Sequence, residues 1–170
     1  MKQLLDQFIE AKYKSNTFFS KRPIRPNPRG PASADELRRL DAHLSSKGLQ
    51  APDSYKACLA VYNGIENLFG RRYSLLSIDE IVGKQYELLE ENEEEYPNLG
   101  AFVIGAGETS YFMGFDTSTP VTGKGYELAE ITDKGAQWRF KSFEDFLTGM
   151  VADLEKTIRD EEQDRKNLKP

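Results

Sequence analysis

The chain has 170 residues, of which 38% are hydrophobic and 30% charged, and a formal net charge of -5. That is length enough for one domain with a real core, and no apolar run approaches the roughly 20 residues that span a bilayer. A single cysteine excludes an internal disulfide, and the first residues lack a basic-then-apolar leader, so composition predicts a reducing, cytoplasmic setting.

Charge is unevenly placed. Residues 1–30 hold seven cations (Lys2, Lys12, Lys14, Lys21, Arg22, Arg25, Arg29) against Asp6 and Glu10, so they carry +5 and the rest of the chain carries -10. An acidic body disfavours nucleic acid, whose affinity comes largely from Lys and Arg at phosphates. It favours basic protein partners through electrostatic steering.

Residues 3–13 predict a short amphipathic helix with Leu4, Leu5, Phe8 and Ile9 on one side, free to dock on the core or on a partner. Residues 19–32 contain four prolines and predict an extended connector. Ser33 and Glu36 then form a capping-box pair, and Leu37, Leu40 and Leu44 recur at a helical period. Gly48 stops this helix where a left-handed residue is needed, and Leu49 folds back on its last turn. Pro52 sets the start of the next helix, with Asp53 as its cap. Tyr55, Cys58, Leu59 and Tyr62 form its apolar stripe, and Asn63-Gly64 ends it.

Further on, residues 73–76 predict a strand. Ser77 caps a helix running from Ile78 into the nineties, which ends in a dense acidic run. Residues 101–104 read as a buried strand, Gly105 and Gly107 as a turn, residues 111–115 as a strand and residues 117–120 as a turn. Residues 126–131 and 137–140 make two more strands joined by a turn at Asp133-Lys134-Gly135. Ser142 caps a last helix whose apolar spacing lasts to Ile158, after which a charged tail frays. The order predicts an α+β domain, a small, mainly antiparallel sheet packed by helices. The expected division is an N-terminal helix and connector over 1–32, the domain over 33–158 and a charged tail over 159–170.

The elbow resembles the SUKH superfamily, which includes the yeast regulators of cell-wall synthesis and many bacterial immunity proteins. Leu49 and Pro52 stand in the family's Leu-Pro elbow, with two residues between them where many members have almost none. Tyr55, Lys56, Leu59, Asn63 and Gly64 follow at the family's spacing. Leu76 to Ile81, Phe102 to Gly105 (without the usual proline), Tyr111 to Asp116 and Phe143 to Leu147 resemble its later segments in order. The resemblance spans about residues 33–150 and implies a SUKH-like single domain that binds other proteins.

The inventory for catalysis is thin. His43 is the only histidine and Cys58 the only cysteine, which leaves too few ligands for the usual zinc site. His43 reads as a surface or boundary residue, and Cys58 as core. Gly105-Ala106-Gly107 lacks the third glycine and following helix of a dinucleotide cradle, and the Gly-Lys-Ser/Thr of a P-loop. Asp79, Glu80, Asp116 and Glu144 are the carboxylates nearest structured elements, but nothing selects two as an acid–base pair. Asp79, Glu80, Glu144 and Asp145 suit helix first turns, where negative charge complements the dipole.

The acidic run stands out. Negative charge at a helix C-terminus opposes the macrodipole, and clustered like charges repel, so a partner-bound role is the functional counterweight to a solvated helix end. The expected contact residues are Glu90, Glu91, Glu93, Glu94, Glu95 and Tyr96, with Asp79 and Asp116. Tyr62, Tyr73, Tyr86 and Tyr111 either add contact area or belong to the core. The sequence thus predicts a protein without catalytic residues, metal or cofactor, a monomer or weak dimer that binds neither nucleic acid nor membrane. The resemblance implies an immunity protein of bacterial competition that neutralises a cognate toxin domain, such as a nuclease, in a toxin–antitoxin-like manner. An intracellular scaffold or regulator is the second reading, and a small carboxylate hydrolase the third.

Overall fold

A computed structural model describes residues 1–68, 73–83, 102–107, 112–121, 125–132 and 135–167. Helix α1 (Lys2–Phe19) opens the chain, followed by the two-residue strand β1 (Asn27–Pro28). Helices α2 (Ala34–Ser45) and α3 (Asp53–Leu59) form the elbow. Strands β2 (Ile65–Glu66) and β3 (Tyr73–Leu75) precede helix α4, described over residues 78–83. Strands β4 (Phe102–Gly107), β5 (Phe112–Val121), β6 (Gly125–Thr132) and β7 (Gly135–Phe140) lead to helix α5 (Phe143–Asn167). The described strands make one antiparallel sheet in the sequential order β1 to β7. The fold is α+β, as predicted.

The core forms where the helix stripes meet the sheet. Tyr55 on α3 sits edge-on to Phe102 of β4, Phe115 of β5 and Phe143 of α5, with ring centroids 5.8, 5.5 and 5.3 Å away. Such contacts add about 0.5–1.5 kcal/mol per pair beyond burial itself. Leu40 and Leu44 of α2 and Leu59 of α3 are buried in the same cluster. The predicted apolar side of α1 docks there too: Leu5, Phe8 and Ile9 are buried, and Phe8 meets Phe146 of α5 at 6.3 Å.

Several local expectations are corrected. Gly105 and Gly107 lie inside β4 and form no turn. Residue 104 is the extra residue of a bulge, since Val103 pairs with Gly114 but Gly105 with Met113. The strand therefore runs on past the glycines, with Gly105 fitted beneath the Tyr73 ring. Residues 117–120 likewise belong to β5. Asp116 pairs with Glu127 and Val121 with Gly125, so four residues bulge against one, and this irregularity accommodates Pro120.

Pro52, not Asp53, is the N-cap residue of α3, and no side chain caps it. Helix α1 extends to Phe19 and α5 to Asn167, well beyond the apolar spacing that set the predicted ends. They support each other there. Lys14 pairs with Glu162 at 2.7 Å, and Arg165 donates to the Phe18 carbonyl at 3.3 Å while its guanidinium lies 4.6 Å from the Phe18 ring. The proline-rich connector is extended as predicted, and its β1 pairs with β2 at the sheet edge, where a missing proline N–H is tolerated.

Candidate interaction surface

Two capping boxes face each other across the Asn63-Gly64 turn. At the start of α2 the Glu36 amide donates to Ser33 Oγ at 3.2 Å, and Glu36 Oε2 accepts from the Ser33 amide at 2.7 Å. At the start of α4 Glu80 Oε2 accepts from the Ser77 amide and hydroxyl, each at 2.8 Å, and the Glu80 amide donates to Ser77 Oγ at 3.4 Å. Asn63 joins the boxes, its Nδ2 donating to Glu36 Oε1 at 2.9 Å and its Oδ1 accepting from the Ile78 amide at 2.8 Å. Arg29, reaching in from the connector, donates to both Glu80 oxygens (3.1 and 3.2 Å) and to Glu66 Oε1.

Burial pushes the Glu80 carboxyl up, but the Ser77 and Arg29 hydrogen bonds outweigh it and the net shift is downward. The Glu36 carboxyl is also held low, first by the Ser33 amide. Both oxygens of each carboxylate are engaged. Such groups hold helix starts in place and are ill suited to exchanging protons at neutral pH.

The other predicted carboxylates are dispersed. Asp79 is exposed at the start of α4 and pairs with Arg39 of α2. Asp116, on β5, is 8% exposed and accepts from Arg139 of β7 at 2.7 Å, and Glu127 shares that guanidinium at 3.2 Å. Asp79 and Asp116 thus project from separate elements and are held by different arginines. Glu144 is exposed in the first turn of α5. Among the described residues no three His, Cys, Asp or Glu side chains gather as a metal site would need. Burial holds the Cys58 thiol up at about 12, and His43 is lowered by burial and by Lys47. Neither shift favours a nucleophile or a charged imidazole.

A surface groove of about 570 Å³ runs beside the elbow, lined by Asp41, Ser45, Leu49, Gln50, Lys56 and Tyr126. Lys56 lies 3.6 Å from Asp41 and 3.8 Å from Asp53. The elbow side was legible from the local pattern. Tyr126 comes from β6, and only sheet pairing brings it there.

Glu90, Glu91, Glu93, Glu94, Glu95 and Tyr96 lie outside the described residues, as do Tyr86 and Tyr111. Of the other tyrosines, Tyr73 is buried, and Tyr62 is half-buried with its hydroxyl donating to Asp6 at 2.6 Å. Residues 84–100 set Lys84 against Glu87, Glu90, Glu91, Glu93, Glu94 and Glu95, a net of -5. Half of the body's -10 is therefore concentrated in this stretch.

Residues 31–149 match the model of the SMI1 / KNR4 family (SUKH-1). The chain belongs to this family. The match runs from the end of the connector through the elbow and the sheet into the first turns of α5, and it includes the acidic stretch. Helix α1 and β1 precede the SUKH-1 match, although α1 shares its core. No curated protein matches the chain. Among the described residues no helix is long and apolar enough to cross a membrane.

Proposed function

We propose that this SUKH-1 chain is a non-enzymatic immunity protein that binds a cognate bacterial toxin domain in the cytoplasm and blocks its active site or substrate groove. The observation that carries the reading is the concentration of half the body's negative charge in one stretch of a SUKH-1 domain. A toxin that acts on nucleic acid presents a basic face, and an acidic inhibitor can occupy it in place of phosphates. Charge pairing speeds encounter, and buried aromatic anchors slow dissociation. The proposed contacts are Glu90, Glu91, Glu93, Glu94, Glu95 and Tyr96, together with Asp79 and Asp116. Asp116 reaches a partner only at the exposed margin of its pair with Arg139.

Binding to the toxin encoded beside this chain, measured at low and moderate salt, tests the reading. A complex tighter than about 1 μM that weakens with salt and with Glu91→Lys/Glu94→Lys is expected. No complex at micromolar concentration rules that toxin out.

A further inference from the structure

We propose that the tip of α1 is a homotypic docking surface, and that it is occupied by the acidic stretch of a second copy of this chain. Phe19 is 67% exposed, the large hydrophobic side chain left most open among the described residues. It stands in a segment of one sign: residues 11–33 hold Lys12, Lys14, Lys21, Arg22, Arg25 and Arg29 and no carboxylate. Three of these cations are committed within the chain, Lys14 to Glu162, Arg25 to Glu10, and Arg29 to Glu66 and Glu80. Lys21 and Arg22, directly after Phe19, are exposed and make no ion pair among the described residues.

Helices α1 and α5 run side by side in the same direction, since Phe8 meets Phe146, Lys14 meets Glu162 and Phe18 meets Arg165. Their C-terminal ends therefore converge, and the summed dipoles draw cations to that end. This accounts for Arg165 and Lys166. It does not account for Phe19, because an apolar ring gains nothing from a dipole. Arg165 also covers Phe18 and leaves its neighbour open.

Two exposed cations, Lys21 and Arg22, directly following an open aromatic ring fit an acidic partner. A second copy brings the matching chemistry itself: six glutamates within residues 87–95, followed by Tyr96. The tip repels the basic partner that the toxin-binding reading calls for, but the acidic stretch serves both contacts, so a toxin and a second copy compete for it. The proposal does not rest on that reading.

Sedimentation velocity of the full chain decides it. The expected result is a weight-average mass that rises between about 1 and about 200 μM at low salt and returns to the monomer value in about 0.5 M salt. Lys21→Glu/Arg22→Glu and Glu93→Lys/Glu94→Lys should each lower the association constant about tenfold or more, while mixing the two variants restores a complex. Phe19→Ser should weaken association at every salt concentration. Phe19, Lys21 and Arg22 are exposed side chains, and an unchanged far-UV circular dichroism spectrum is required of every variant used. A monomer across the whole range overturns the proposal, as does association that both charge reversals leave intact. Binding of the wild type, but not Lys21→Glu/Arg22→Glu, to anionic vesicles or duplex DNA without self-association overturns it as well.

Discussion

Asn63 donates to Glu36 across 27 residues of chain, and through its other amide atom it receives the first free N–H of α4. One side chain thereby fixes the relative placement of two helix starts. Asn63→Ala leaves the buried Ile78 amide without its acceptor, a loss of about 1–3 kcal/mol. Urea unfolding should show a lower midpoint at an unchanged slope. Asn63→Asp keeps that acceptor but sets a carboxylate against Glu36, and it should fall between Ala and wild type. A midpoint for Asn63→Ala equal to wild type would remove the bridging role.

Gly64 holds φ +96, and a Cβ placed there would lie 3.0 Å from both the Leu75 carbonyl oxygen and the Ser77 amide nitrogen. Both obstacles are backbone, so a side-chain rotation relieves neither. Gly64→Ala should cost about 2 kcal/mol or more, combining left-handed strain with the displaced β3–α4 junction. Thermal unfolding provides the readout. A melting temperature within a degree or so of wild type would mean that the turn relaxes freely.

What was legible in the sequence was local. Ser33 with Glu36, Ser77 before Ile78, Ser142 before Phe143 and the Leu40–Leu44 stripe each lie within one or two turns, and each does what its spacing predicts. Tyr55 was readable as a core face, but its three aromatic partners come from β4, β5 and α5, which no window of sequence joins. Arg29 reached its carboxylates across 37 and 51 residues, so the connector looked like a plain linker. The glycines of β4 and Pro120 of β5 suggested turns because bulges use the same residues. The helix ends at Phe19 and Asn167 were missed because each supports the other, which single-helix periodicity does not register. At the candidate surface, charge density was legible, but the commitment of Asp79 and Asp116 to arginines on other elements was not.

Glu80 makes stability depend on pH in a defined direction. Its folded carboxyl lies below the ordinary value of 4.5, so its contribution is full above that value and is lost as pH falls through the folded pKa. Glu36 and Asp6 shift the same way and add to the acid sensitivity of the wild type. Comparison with Glu80→Gln isolates the one group. The stability gap between the two proteins should be widest near neutral pH and narrow steadily below about pH 4.5. A gap constant down to pH 3 would show that the charge of Glu80 contributes nothing.

Asp116 and Arg139 tie β5 to β7 across β6, with the carboxylate largely buried and the guanidinium half exposed. Asp116→Asn removes the charge while keeping the shape, and it should lower stability by about 1–3 kcal/mol. Arg139→Gln should cost less, because its solvent-facing half is screened. In a double-mutant cycle the pair should couple by about 0.5 kcal/mol or more. Strict additivity would mean that Asp116 is held by its strand alone and that Arg139 is incidental.

Cys58 offers a direct probe of the elbow. Its thiol is 2% exposed, and burial raises its pKa to about 12, so at pH 8 almost none of it is thiolate. Reaction with a disulfide reagent therefore requires α3 to leave the core that Tyr55 anchors. Labelling of the native chain should run roughly a thousandfold or more slower than in urea, and should report the population of the opened state. Asn63→Ala, by loosening the junction next to α3, should speed native labelling in proportion to its loss of stability. Labelling of the wild type within the mixing time would place the thiol at the surface and detach the elbow from the core.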